Sequence, residues 1–207
     1  MQKILIFIIM LILAGCKVHL NIPVKLSELQ SAKNNQSSGI HSFVIAEVSS
    51  CKDRKTDLDS TSLLKAKQQI NYIFGNAEFL VCDREGFKSH AKFRVAVALS
   101  ADSSLPKYVT VSGKKGFGVT IGSEMVEKII KNSNSTNSKF DLDINVKIDN
   151  DTNEDWNYVI YSSFVNDKPV IHGEFILGKG DSVKLSLSDV SVAAIKSGEL
   201  TWIAFSK

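Results

Sequence analysis

Residues 17–26 of the 207-residue chain have the sequence Lys-Val-His-Leu-Asn-Ile-Pro-Val-Lys-Leu. Apolar residues occupy every second position of this stretch, a period that predicts a β-strand with one buried face. Pro23 has no backbone N–H to donate to a neighbouring strand, which favours a position at the edge of a sheet. The folded body is therefore expected to begin with an edge strand directly after Cys16, without a flexible tether.

The last third of the chain continues this alternation. Apolar residues again occupy every second position from 140 to 148, and four further strand-like runs follow, separated by turn signals such as Gly178-Lys179-Gly180-Asp181. Short strands with turn signals at regular intervals are typical of small antiparallel sandwiches. Residues 140–207 are therefore predicted to form an immunoglobulin-like antiparallel β-sandwich domain.

Residues 16–131 mix helical and strand patterns, which predicts an α+β domain with a mixed sheet and two helices. The first helix is predicted from Ser60 to Phe74, where apolar residues recur at steps of three and four. The second is predicted from Ser123 to Lys131. Residues 132–138 are seven small polar residues in a row, and they predict a linker at 132–139. The predicted fold class is thus α+β, with a mixed sheet followed by a separate sandwich.

The N-terminus has the pattern of an export signal. Lys3 precedes ten apolar residues, Ile4–Leu13, a run too short to cross a bilayer, which takes about 20 residues. Leu13-Ala14-Gly15-Cys16 then resembles the lipobox of bacterial lipoprotein precursors. The resemblance implies that residues 1–15 are removed as a signal peptide, and that Cys16 carries a diacylglycerol and an acyl chain such as palmitate. An ordinary secretory signal is the alternative.

In such precursors, an aspartate after the lipidated cysteine favours retention in the inner membrane. Lys17 stands there instead, so the resemblance implies a lipid-anchored protein at the periplasmic face of the outer membrane. In this oxidising compartment the two remaining cysteines, Cys51 and Cys82, are predicted to form a disulfide. A metal or redox pair is the alternative, but it has neither CxxC spacing nor a nearby set of histidine ligands.

Charge is distributed unevenly along the chain. Residues 17–139 carry 18 Lys and Arg against 11 Asp and Glu, a net charge of +7, and residues 140–207 carry 6 against 11, a net charge of −5. A basic half beside a lipid anchor predicts contact with anionic headgroups, first through Lys114 and Lys115 in the turn at 113–116. Ordinary solvated surface charge is the alternative. Nucleic acid is not an expected partner, because no basic run exceeds two residues.

No catalytic residue, metal site or cofactor other than the covalent lipid is predicted. Gly180-Asp181-Ser182 resembles the Gly-Asp-Ser block of a lipase and esterase family, but no histidine follows it to act as a base. Residues 149–155 resemble the start of an EF-hand loop, yet Glu154 and Ile160 stand where a glycine and a glutamate are needed. An irregular surface calcium site is the alternative to a solvated loop. The four histidines are scattered over predicted strands or their edges: His19, His41, His90 and His172.

Two segments of the body carry a further resemblance, Cys-Lys-Val-x-Leu-x-Ile-Pro-Val-Lys from Cys16 and Ala-Glu-Phe-Leu-Val-Cys from Ala77. They resemble small uncharacterised lipoproteins of enteric bacteria and their phages or plasmids, and the likeness implies no known activity. We therefore expect a non-enzymatic binding or interaction module of the cell envelope, with an envelope or phage protein as partner. One alternative is a carrier of a lipid or apolar ligand beneath the helix at residues 60–74. Another is a hydrolase that uses His90 or His172.

Overall fold

The computed structural model describes residues 17–32, 38–101, 105, 107–112, 117–136, 140–197, 199 and 201–206. The predicted signal peptide, Cys16, Lys114 and Lys115 lie outside these ranges. The described strands are β1 (Lys17–Lys25), β2 (Ser38–Val48), β3 (Glu78–Glu85), β4 (Lys88–Ser100), β5 (Val109–Ser112), β6 (Phe117–Ile121), β7 (Asp141–Asp149), β8 (Trp156–Val165), β9 (Lys168–Leu177), β10 (Ser182–Leu187) and β11 (Thr201–Ser206). The described helices are α1 (Leu26–Ala32), α2 (Thr61–Phe74), α3 (Ser123–Thr136) and α4 (Asp189–Lys196).

All eleven described strands belong to one mixed sheet with the order β10-β7-β1-β2-β4-β5-β6-β11-β8-β9, and β3 pairs with β4. The β1–β7 and β4–β5 pairs are parallel, whereas hairpin neighbours such as β8 and β9 are antiparallel. One edge of β8 pairs with β9, and its opposite edge pairs with both β11 and β10. The sheet therefore curls, so that β10 at one end of the strand order pairs with β8 next to the other end.

The α+β class is as predicted, but the C-terminal strands do not form a separate antiparallel sandwich. β7 pairs in parallel with β1, and β11 pairs with β6. The inner face of β7 shows why, because its four apolar residues are at most 2% exposed and belong to the same hydrophobic core as β1: Leu142, Ile144, Val146 and Ile148. The described strands thus form one curled mixed sheet around a shared core.

The predicted linker at residues 132–139 is partly helical. α3 continues through Thr136, and residues 137–139 lie outside the described ranges. Asn132 is 7% exposed, and the Ser133 hydroxyl donates to the Ile129 carbonyl at 3.0 Å. Packing of Asn132 and this contact with the backbone therefore stabilise helix in a segment whose composition predicts a loop. Strands from both sides of the predicted boundary pair directly, so residues 16–131 and 140–207 share their sheet.

β1 lies between β2 and β7, so its predicted edge position was wrong. The apolar residues of its inner face are buried, as the alternation predicts: Val18, Leu20, Ile22 and Val24. β2, however, pairs with β1 only from Val18 to Asn21, and Pro23 lies beyond that point. The missing N–H of Pro23 therefore falls where β1 has a neighbouring strand on one side only.

A backbone irregularity at Ser162 lets β8 join both ends of the sheet. Ser162 has a φ of 46°, in the left-handed region that few residues other than glycine adopt. The buried positions of β8 change parity there, from Tyr158 and Ile160 to Ser163 and Val165. The first part of β8 pairs with β11 and the second with β10. One left-handed residue thus turns the buried face of β8 as the strand passes from one neighbour to the next.

α2 begins and ends where the sequence predicts. The Ser60 hydroxyl accepts the N–H of Leu63 at 3.1 Å, which caps the first turn, and Gly75 with a φ of 63° follows the last. Four residues of α2 are buried at 1% exposure in the core against β2 and β4: Leu63, Ala66, Ile70 and Ile73. Side chains therefore fill the interface between α2 and the sheet.

The predicted disulfide is present between Cys51 and Cys82, with Cα atoms 5.6 Å apart. Cys51 follows β2, and Cys82 lies in β3. These two strands pair with opposite edges of β4, and α2 lies between them in sequence. The bridge therefore ties both ends of the α2 segment to the same part of the sheet.

Replacing Cys51 or Cys82 with serine should lower the free energy of unfolding by about 3 to 4 kcal/mol, because it opens a loop of about 30 residues in the unfolded chain. Thermal denaturation followed by circular dichroism measures the change. The single variants, the double variant and the reduced wild type should all melt at about the same temperature. A wild-type melting temperature that a reductant leaves unchanged would contradict the bridge.

Candidate functional site

A groove opens where β1 and β2 separate beyond Asn21. Its volume is about 400 Å³, within the usual range of small-molecule sites, about 300 to 1,000 Å³. We call it the central groove, because its wall comes from the neighbouring strands β1, β2, β7 and β10 and from the β8–β9 turn. The residues that give the wall its chemistry are Asn21, Pro23, Phe43, Asn145, Lys147 and Lys184.

The strand register sets the polar residues of the central groove side by side. Asn21 lies opposite Asn145, and the Asn145 Nδ2 donates to the Asn21 Oδ1 at 3.2 Å. Two residues further along, Pro23 lies opposite Lys147, which in turn lies opposite Lys184 of β10. Residues directly opposite each other share one face of a sheet. Two amides and two lysines thus form adjacent rows across three strands.

The two lysines are the charged residues among those that line the central groove. Lys147 Nζ lies 2.9 Å from Asp149 Oδ1, and Lys184 Nζ lies 2.8 Å from Asp167 Oδ1. Neither aspartate lines the groove, and no other carboxylate does so in the part of the chain that the structure describes. A hydrogen bond from Ser182, together with Lys147, holds the pKa of Asp149 below its ordinary value. The carboxylates therefore flank the groove, while the lysines form part of its wall.

Phe43 and Pro23 are two of the apolar residues that line the groove, together with Ile22 and Val183. Phe43 lies opposite Asn21, and the Lys92 Nζ lies 4.4 Å from the centroid of its ring, a cation–π contact. Small-molecule sites typically combine such an apolar wall with a few polar groups in fixed positions. The central groove has this composition.

A second groove of about 460 Å³ adjoins the first and shares Asn166, Ser182 and Val183 with it. Its wall contains Tyr158 and Phe175, whose rings stack with centroids 5.7 Å apart. Burial raises the pKa of Tyr158, because it disfavours the charged phenolate. We call this second site the aromatic groove, because these rings form its apolar side.

The residues that resemble catalytic or metal-binding motifs form hydrogen bonds with other residues of the chain. Ser182 of the Gly-Asp-Ser block donates its hydroxyl hydrogen to Asp149. In the loop that resembles a calcium site, Asn150 Nδ2 donates to three backbone carbonyls, and Asp151 accepts the N–H and hydroxyl of Ser27. Over the described ranges, no group of three or more His, Cys, Asp and Glu residues is arranged to hold a metal ion.

His19 lies in an ionic cluster on the same sheet. Its Nδ1 is 3.0 Å from Asp143 Oδ2, and Lys17 Nζ is 3.3 Å from the same oxygen. Burial lowers the pKa of His19, and the Asp143 carboxylate opposes this effect. The other two histidines with described contacts have other partners, since His90 faces Glu85 at 3.3 Å and His172 packs on a tyrosine ring. His90 nevertheless lies near enough to His19 for its charge to lower the pKa of His19 further. These contacts pair each ring with a carboxylate or an aromatic group.

The family model described as Domain of unknown function (DUF7424) matches residues 18–207. The chain belongs to this family. The match covers both sides of the predicted domain boundary and both grooves, and its description assigns no activity. No curated protein and no solved structure matches the chain. Among the helices described for this DUF7424 chain, none is both long and apolar enough to cross a membrane.

The predicted site residues and the grooves of the DUF7424 chain do not coincide. Cys51 and Cys82 form their bridge away from the residues that line either groove, whereas Cys16, Lys114 and Lys115 lie outside the described residues. Sequence reasoning missed both grooves. Its available signal was the row of polar residues at outward positions of β1 and β7, but the order of the strands is needed to bring them together.

The protonation of His19 gives a test of this geometry. Its pKa should lie below the ordinary value of 6.5, and replacing Asp143 with asparagine should lower it further, because the carboxylate favours the charged ring. NMR titration of the His19 ring protons measures both values. Replacing the distant Asp167 with asparagine is the control and should leave the titration unchanged.

The lowered pKa of His19 should also make the stability of the protein depend on pH. Because the folded-state pKa is depressed, the unfolded chain binds the proton more readily, and stability falls as the pH drops below 6.5 through the folded pKa. A His19→Gln variant should lose this part of the pH dependence of its melting temperature. A wild-type pKa at or above 6.5 would contradict the dominant effect of burial.

Proposed function

We propose that this protein is a lipid-anchored component of the bacterial cell envelope, at the periplasmic face of the outer membrane, which acts by binding and not by catalysis. The central groove is its binding site. The observation that carries the proposal is the composition of this groove, with apolar walls, three asparagine amides and two lysines, and no lining carboxylate among the described residues.

The N-terminal pattern supports the lipid anchor. Leu13-Ala14-Gly15-Cys16 resembles a lipobox, and β1 begins at Lys17. A lipid on Cys16 would therefore be joined directly to a strand in the middle of the sheet. At about 3.3 Å per residue of strand, Pro23 lies roughly 20 Å along β1 from Lys17, so the groove would lie close to the membrane surface.

The contacts of the candidate catalytic residues favour binding over hydrolysis. A serine nucleophile needs a base that accepts its proton and a group that orients the base. Ser182 instead donates to Asp149, a carboxylate that Lys147 also holds. His90 and His172, the histidines of the hydrolase alternative, contact Glu85 and Tyr161. That Ser182 bonds to a carboxylate and not to a histidine base supports the proposal of binding.

A carrier of an apolar ligand is the second candidate function. The filled interface of α2 speaks against the cavity expected beneath that helix. The aromatic groove offers an apolar wall instead, formed by Tyr158, Phe175, Val170 and Leu177. An apolar ligand would therefore bind there and extend towards the central groove along their shared residues.

The expected envelope or phage protein has a candidate contact surface at β9. Within the described residues β9 pairs only with β8, which leaves its other edge for a partner strand. Ile171 and Ile176 are 86% and 70% exposed on this strand. This surface is separate from the wall of the central groove.

The anchor is tested by labelling cells with an alkyne analogue of palmitate. The wild-type protein should take up the label and fractionate with the outer membrane, and Cys16→Ala should do neither. A Cys51→Ser/Cys82→Ser double variant is the matched control, because it lacks the other two thiols, and it should keep the label. Equal labelling of Cys16→Ala and wild type would contradict the anchor.

Binding is tested by thermal denaturation of the mature chain in detergent with single envelope components: lipopolysaccharide, a peptidoglycan fragment, an anionic phospholipid and an extended peptide. At least one should raise the melting temperature, because a ligand of the folded state stabilises it by mass action. Asn145→Trp should abolish the shift by filling the central groove. Asn157→Trp, exposed on β8, is the control and should retain it. No shift with any component would refute the proposed function.

A further inference from the structure

The residues that line the central groove indicate which class of ligand it binds. An inference about that ligand rests on the proposed function of the groove as a binding site. Lys147 and Lys184 lie directly opposite each other on neighbouring strands, a position in which like charges repel. Their side chains are 58% and 43% exposed, and those of their aspartate partners are 41% and 74% exposed. Ion pairs this exposed contribute little to stability, because water screens them. An anion in the groove would therefore bind both ammonium groups at little cost to these pairs.

The asparagines of the groove can bind hydroxyl groups. Asn21 and Asn145 share one hydrogen bond, which uses one acceptor and one donor hydrogen. The Asn166 oxygen accepts the backbone N–H of Lys184 at 3.0 Å. Since a side-chain amide has two donor hydrogens and an acceptor oxygen with two lone pairs, each of the three asparagines keeps hydrogen-bonding capacity. A ligand with several hydroxyl groups can use donors and acceptors of this kind together.

The apolar wall favours a compact ring over a peptide strand. Phe43 and Pro23 line the groove, and the C–H groups of a ring can pack on the electron-rich face of an aromatic side chain. Lys92 covers one face of the Phe43 ring, so such a ring would pack on the other. A peptide would instead add to the free edge of β1 beyond Asn21 through main-chain hydrogen bonds. Pro23 removes a donor at this edge, which weakens that mode of binding.

We propose that the central groove binds a sugar that carries a phosphate or carboxylate group. The anionic group lies between Lys147 and Lys184, the ring packs on Phe43 and Pro23, and the hydroxyl groups bond to Asn21, Asn145 and Asn166. The groove volume of about 400 Å³ accommodates one or two sugar rings. The aromatic groove, which shares Asn166 and Ser182 with it, would take an apolar substituent of the same ligand.

Isothermal titration calorimetry of the mature chain in detergent tests this inference with five probes: glucose 1-phosphate, glucuronate, glucose, inorganic phosphate and an uncharged tetra-alanine peptide. At least one of the two anionic sugars should bind ten or more times more tightly than glucose, phosphate or the peptide. Its affinity should fall with added salt, because exposed charges are screened. The stronger of the two identifies the anionic group as phosphate or carboxylate.

Variants assign the binding to the lysine pair. Lys147→Ala and Lys184→Ala should each lower the affinity for the anionic sugar at least tenfold. Lys184→Arg keeps the charge and should retain most of the affinity. Lys65→Ala, at an exposed position of α2, is the control and should change nothing. Unchanged melting temperatures of the variants exclude unfolding as the cause of any loss.

Three results would overturn the inference: no binding of either anionic sugar, equal binding of glucose, or equal binding of inorganic phosphate. If only the peptide bound, and if Asn145→Trp abolished this binding, the inference would fail and the proposed function would stand. If no envelope component shifted the melting temperature either, both would fail. The two experiments therefore separate the identity of the ligand from the existence of a binding site.

Discussion

The parallel pairing of β1 with β7 is the constraint on which the rest of the structure depends. It joins Lys17–Lys25 to Asp141–Asp149 without a register shift, over a sequence separation of 124 residues. β2 and the first half of the chain extend from one side of this pair, and β10 extends from the other. Because β10 then reaches β8, the same pairing lets the sheet close on itself. The central groove exists because β2 leaves β1 after Asn21 while β7 continues alongside.

The sequence predicts the elements of this fold better than their arrangement. Apolar residues at every second position are a local signal, and the strands predicted at residues 17–26 and 140–148 correspond to β1 (Lys17–Lys25) and β7 (Asp141–Asp149). Strand partners carry no such signal, so the polar run after Lys131 predicts a linker although the strands on both sides of it share one sheet. α4 was missed altogether. Its start and end signals, Ser188 and Lys196, are present, but eight residues give too short a pattern to stand out beside the strands.

The disulfide could be predicted and the groove could not, for physical reasons that differ. The lipobox-like pattern predicts export and assigns Cys16 to the lipid, which leaves Cys51 and Cys82 as the two cysteines that can pair. The groove instead needs Asn21, Phe43, Asn145 and Lys184, which come from four strands. Each of them occupies an ordinary outward position in its own strand. Only the strand order and the early end of the β1–β2 pairing bring these side chains to one place.

The position of Lys17 as the first residue of β1 has a mechanical consequence. A pull on the N-terminal end along the strand acts parallel to β7, so it loads the β1–β7 hydrogen bonds in shear and they must break together. Forced unfolding is governed by the height of the unfolding barrier, and breaking a whole strand pairing at once makes that barrier high. If the chain were tethered at this end, the paired strands β1 and β7, which form part of the wall of the central groove, would therefore stay together under tension until the sheet itself unfolded.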